Sequence, residues 1–200
     1  GKAECRKLLI EPLGLKVGDE TPLIGIISRL VDQKGFDLVS AVFDEIVGED
    51  TGIVILGLGD KKYHDMLSEA AGRSPDRVSV NLAFDEELAH QIEAGCDMFL
   101  MPSKYEPCGL NQMYSLRYGT VPVVHATGGL VDTISEFVPH TGRGNGVVFD
   151  EYPPEALRGA LERALKLFGR ILLTRNCVLG HEDVPILHLC QINPLRPLGF

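Results

Sequence analysis

No stretch of this 200-residue sequence holds enough consecutive apolar residues to cross a bilayer. The opening Gly1-Lys2-Ala3-Glu4-Cys5-Arg6-Lys7 lacks the apolar centre of a secretory signal. Its first residue is Gly rather than Met, from which a start inside a longer chain is expected. Tryptophan is absent. The cysteines at 5, 96, 108, 177 and 190 form no Cys-x-x-Cys pair, and the six histidines show no metal-ligand spacing. Reduced, intracellular thiols and no metal are the expectation. There is no Asp-x-Asp pair to hold a metal–diphosphate, no Gly-x-x-x-x-Gly-Lys-Ser/Thr phosphate loop and no Gly-x-Ser-x-Gly nucleophile elbow. Cations are scarce: 19 Lys and Arg face 28 Asp and Glu, for a net charge of −9. Broad nucleic-acid binding needs a basic field and is therefore not expected. A small anionic ligand stays open, because a few cations and a helix start suffice to hold one.

What is present is an ordinary globular composition, 44% hydrophobic and 24% charged, in a chain long enough for one core. Short β-branched runs recur at Leu23–Ser28, Ile53–Leu58, Met98–Met101 and Val121–Val124, with weaker ones at Val78–Val80 and Val147–Phe149. Such runs suit strands covered on both faces. Between them, helical patterns cover Phe36–Val47, Asp60–Ala71, Asp85–Ala94, Cys108–Tyr118, Val131–Phe137 and Pro154–Phe168. About six alternations of strand and helix predict an α/β fold, a doubly wound parallel sheet with helices on both faces. Ligands in such sheets bind beyond the carboxyl ends of the strands. The last stretch, 171–200, carries Pro185, Pro194 and Pro197 without sustained periodicity, and reads as an atypical tail after a domain spanning 1–170.

Five loops follow the strands. Arg29 and Lys34 flank Ser28–Gly35 and could clamp a diphosphate, Arg as a fork and Lys as a point charge; two solvated surface cations are the alternative. Leu56-Gly57-Leu58-Gly59-Asp60 is a glycine turn without the third glycine of a dinucleotide fingerprint. Phe84 precedes a helix start, where it could stack on a base, although position alone favours a hydrophobic staple. In Pro102–Gln112, Glu106 could accept bonds from sugar hydroxyls or be a plain first-turn acid. The amides of Gly109, Leu110 and Asn111 would point out of the helix start. Thr127-Gly128-Gly129 could donate amides to phosphate or sugar, or be a structural turn.

Taken in order, Ser-Arg-Leu…Gln-Lys-Gly at 28–35, Leu-Gly-x-Gly-Asp at 56–60, Glu-Pro-Cys-Gly-Leu-Asn-Gln at 106–112, Tyr-Gly-Thr-Val-Pro-Val-Val at 118–124 and Thr-Gly-Gly-Leu-x-Asp at 127–132 closely resemble the C-terminal domain of bacterial glycogen synthases and plant starch synthases. These are GT-B glycosyltransferases built from two Rossmann-like domains. The resemblance covers about residues 1–168. It implies retaining transfer of glucose from ADP-glucose to the non-reducing 4-OH of an α-1,4-glucan. Arg29 and Lys34 would bind the diphosphate and steady the leaving ADP, and Glu106 would hold the glucose. Amides near Cys108, Gly109, Leu110 and Asn111, and near Thr127, Gly128 and Gly129, would contact sugar and phosphate, and Phe84 would lie beside the adenine. No cofactor or metal is implied. The acceptor would reach the site through an N-terminal domain that this chain lacks, so the chain alone is expected to be inactive. Neither membrane nor nucleic acid is an implied partner, and the compartment is cytoplasmic in a bacterium or the plastid in a plant. Tyr114 stands where related retaining transferases carry a second Glu, a replacement shared by the synthases. The family's Trp-containing C-terminal segment is not recognisable in 171–200, so an altered C-terminus is expected. A UDP-glucose-dependent GT-B transferase and a non-catalytic nucleotide- or glucan-binding module are the alternative readings.

Overall fold

The computed structural model describes residues 1–48 and 50–177, with side chains to 169. Six strands form one parallel sheet: β1 (Leu23–Ile27), β2 (Gly52–Leu56), β3 (Val78–Asn81), β4 (Met98–Met101), β5 (Val121–His125) and β6 (Val147–Phe149). Their order is β3-β2-β1-β4-β5-β6, with every neighbouring pair parallel. This is the Rossmann order, and the direction of strand addition reverses between β1 and β4. The doubly wound α/β expectation is met.

The pleat explains why runs of Ile, Val and Leu were needed. Ile24, Ile26, Ile53, Ile55, Met98, Leu100, Val121 and Val123 enter one core; Leu23, Val54, Leu56 and Phe99 enter the core on the opposite face. The first core is closed by α2 (Phe36–Gly48), α3 (Lys61–Arg73) and α7 (Pro154–Cys177). The second is closed by α4 (Glu86–Gly95) and α1 (Lys2–Ile10). Two shorter helices, α5 (Asn111–Arg117) and α6 (Gly129–Thr133), flank β5, with Leu130 buried against Val124 and Ile134. Among the described residues no helix is long and apolar enough to cross a membrane.

Three helices depart from their sequence-based ranges. The expected Cys108–Tyr118 helix is shortened to α5, because Gly109 adopts φ +69° and breaks the helical path before Asn111. The expected Val131–Phe137 helix is instead α6: Ile134 turns extended, and the amides of Phe137 and Val138 donate to the carbonyls of Gly146 and Arg143. Pairing with 143–146 overrides the local helical pattern there. Helix α7 runs past Phe168 to Cys177, through a stretch free of proline in which an existing helix extends at little cost. Of the predicted tail, 178–200 lies outside the described residues.

Helix α1 has no counterpart in the sequence reading. It is nine residues long, has no side-chain cap and carries four charged residues. Docking on α4 makes it. Leu9 is fully buried, and a Cβ at Gly95 would lie 2.9 Å from its side chain. Arg6 donates to Asp97 Oδ2 at 2.5 Å and to the carbonyls of Gly18 and Thr21. Burial pushes the Asp97 carboxyl up, against the pull of Arg6.

Candidate functional site

A cavity of about 440 Å³ opens at the carboxyl ends of β1, β2, β3 and β4, at the point where the strand order reverses. Its size suits a small organic ligand. Of the residues singled out in the sequence, Arg29, Lys34, Phe84, Glu106, Gly109, Leu110 and Asn111 line it. Cys108, Thr127, Gly128 and Gly129 do not.

The floor is an ion pair. Lys34 Nζ donates to Glu106 Oε2 at 2.5 Å, across 72 positions of sequence, with both side chains largely buried. Backbone packing sets this distance. Gly35, at φ +80°, lies so close to β4's exit that a Cβ there would stand 2.1 Å from the Pro102 carbonyl oxygen. The Lys104 amide donates to Gln33 O at 2.9 Å. The two loops are thus laid side by side, and Lys34 reaches Glu106 without stretching.

Glu106 is held from behind as well. Ser103 Oγ donates to the same Oε2 at 3.2 Å. The Gly129 amide donates to the Glu106 carbonyl at 3.0 Å, and a Cβ at Gly128, φ +48°, would stand 1.9 Å from that carbonyl oxygen. The glycine pair therefore serves close packing of one loop on another, and the Gly129 amide is already spent. Both side-chain contacts to the carboxylate fall on Oε2, which leaves Oε1 without a partner among the described residues. The amides of Gly109, Leu110 and Asn111 likewise donate to no acceptor among the described residues. Asn111 Nδ2 ties this loop to β1 through Ile27 O at 3.3 Å.

Arg29 lies at the rim, where its guanidinium makes one long contact, 3.4 Å to Gln33 Oε1. Phe84 is 88% exposed, so it is not a staple against α4; the cap of that helix is Asp85, whose carboxylate accepts from the Leu88 amide at 2.9 Å. A bare aromatic ring at a cavity mouth is a surface that gains by being covered. Cys108 is a free, exposed thiol behind the lining. Sequence reasoning missed Ser103 and the residue behind it, His125. The ring nitrogen Nδ1 of His125 lies 2.8 Å from Ser103 O. Ser103 lies within the Pro102–Gln112 loop but was given no role there, and its contact with His125 exists only across the exits of β4 and β5.

A carboxylate with one open oxygen, a largely buried ammonium, an exposed guanidinium and unspent amides can together hold a polyol beside an anion. The family model for glycosyl transferases group 1 matches residues 14–168. The chain is 53% identical over 168 residues to a glycogen synthase of Anaeromyxobacter dehalogenans, covering 84% of this chain and 35% of that protein. It is 51% identical over 179 residues to a glycogen synthase of Kosmotoga olearia, covering 90% and 38%. The catalytic domain of starch synthase IV from Arabidopsis thaliana, solved bound to ADP and acarbose, superposes with a TM-score of 0.79 at 30% identity, over 96% of this chain and 39% of that one. The chain thus spans about a third of the length of the curated relatives it matches. It belongs to the group 1 glycosyl transferases, as a GT-B domain of the glycogen and starch synthase type.

Proposed function

We propose that this chain is the donor-binding half of a retaining α-1,4-glucan synthase, taking ADP-glucose into the cavity at the β1–β4 reversal. The Lys34–Glu106 pair on the cavity floor carries the reading. Glucosyl transfer builds positive charge at the sugar while negative charge gathers on the departing phosphate. An ammonium has three N–H donors, so Lys34 can keep Glu106 and still donate to diphosphate oxygens. Arg29 closes from the rim as a planar fork. Glu106 Oε1 accepts from glucose hydroxyls, the amides of the Cys108–Asn111 loop donate to sugar and phosphate, and Phe84 stacks on the base. Thr127, Gly128 and Gly129 contribute by fixing the Glu106 loop. No cofactor is required in this scheme. The two cations stabilise the leaving ADP most strongly in a closed, dry cleft, so transfer needs an acceptor-bearing domain to close over the site. Glycogen synthase relatives and the ADP-bound starch synthase support the choice of donor and glucan acceptor.

Calorimetry on the chain tests the reading. ADP-glucose binds in preference to UDP-glucose, and Arg29→Ala and Lys34→Ala each weaken it about tenfold or more, the loss of one charge-assisted contact. A UDP-glucose preference overturns the donor assignment. Nucleotide affinity unchanged in both variants overturns the site. Glycogen extension by this chain alone, at the rate of a complete synthase, overturns the need for a second domain.

A further inference from the structure

We propose that His125 is a positioning residue for Glu106, acting from β5 through Ser103 to fix the carboxylate that faces the sugar; this rests on Glu106 being the glucose-holding group. Ser103 is the link. Its hydroxyl donates to Glu106 Oε2 while its carbonyl lies 2.8 Å from His125 Nδ1. A carbonyl only accepts, so Nδ1 carries a proton and donates. Ser103 is 3% exposed and His125 8%, so water does not substitute freely for this bond.

The ring has little freedom to turn away. Phe149 packs against it at a centroid distance of 5.3 Å, and Tyr152 meets it edge-on at 5.1 Å. Tyr152 is itself held, its hydroxyl donating to Asp37 Oδ1 at 2.9 Å. The His125 carbonyl accepts the Thr127 amide at 2.8 Å, which fixes the backbone on the other side. A rigid aromatic corner thus sets the height of the Ser103 carbonyl. That height sets the Ser103 hydroxyl, which joins Lys34 in holding Oε2 and so keeps Oε1 turned away from both. Without the His125 donor the Ser103 peptide can rotate, and Oε1 is no longer reserved for the sugar.

Two variants separate this role from simple packing. His125→Phe keeps the ring and removes the donor; His125→Asn shortens the side chain and restores an N–H near Nδ1. By calorimetry, His125→Phe weakens ADP-glucose about five- to tenfold while ADP affinity holds, the worth of one buried hydrogen bond. His125→Asn stays within about threefold of the parent for both ligands. Nitrogen-15 NMR of the unliganded chain places the neutral ring's proton on Nδ1. The proposal is overturned if that proton sits on Nε2, if His125→Phe binds ADP-glucose like the parent, or if both ligands weaken equally. Should the parent bind neither ligand, the proposed function falls. The free-chain spectra still decide this inference: Ser103 and Glu106 resonances shift in His125→Phe and return in His125→Asn. If the phenylalanine variant does not fold, the parent's tautomer alone remains the deciding measurement.

Discussion

Individual side chains divide here into those that line the cavity and those that tax the fold. Glu93 belongs to the second kind. It sits 3% exposed on α4, and burial pushes its carboxyl up to about 7 from an ordinary 4.5. A raised folded pKa means that the folded state holds the proton more tightly than the unfolded chain. The stabilisation is complete below pH ~4.5 and is lost as the pH rises through about 7. Glu93→Gln is therefore expected to raise the melting temperature at pH 8, by roughly 1–3 kcal/mol of stability, with little gain at pH 4.5. Denaturant titrations at the two pH values check this, and an equal gain at both counts against it. Lys34 belongs to the first kind, yet its loss also costs stability, because Glu106 is left buried without its cation. Lys34→Ala is expected to destabilise by about 2 kcal/mol, and Glu106→Gln added to it to recover part of that. A double-mutant cycle reads the coupling directly.

At the level of elements, the loops are positioned by backbone contact. Gly35→Ala places a Cβ 2.1 Å from the Pro102 carbonyl oxygen in a left-handed conformation. The expected cost is above about 2 kcal/mol, together with weaker ADP-glucose binding, since the Lys34 loop must lift from the Glu106 loop. Gly72, on the exposed face of α3 with nothing near its Cβ position, is the control: Gly72→Ala is expected to be neutral or stabilising by up to ~1 kcal/mol. Helix α1 makes a second case. Removing residues 1–13 uncovers the face of α4 that Leu9 covers and leaves Asp97 buried without Arg6. The melting temperature is expected to fall by several degrees or more, although residues 14–168 alone match the family model. A shortened chain that melts like the parent shows α1 to be dispensable.

For the molecule as a whole, ligand binding at the strand reversal links stability to the site. At a hundred times its dissociation constant a ligand adds about 2.7 kcal/mol, which raises the melting temperature of a domain this size by roughly 5–10 °C. ADP-glucose is expected to produce such a shift, and a tenfold weaker Lys34→Ala to show about half of it at the same ligand concentration, as thermal scans across ligand concentration will read. The six strands, their parallel sense and the presence of a cavity beyond their ends follow from the sequence. Alternation of β-branched runs with amphipathic stretches leaves few ways to bury both faces, and local order along the chain carries that information. Arg29, Lys34 and Glu106 were legible because they lie in loops between such elements. Helix α1, the short α5 and α6, and the Ser103–His125 contact were not. A weakly amphipathic helix exists only where a partner buries it, and a helical pattern yields to backbone pairing that arrives from elsewhere in the chain. The tertiary structure alone decided that the Gly128-Gly129 turn packs against Glu106 rather than lining the cavity, and that one carboxylate oxygen stays open. Such distances are set by contacts between residues tens of positions apart, and no local pattern in a sequence encodes them.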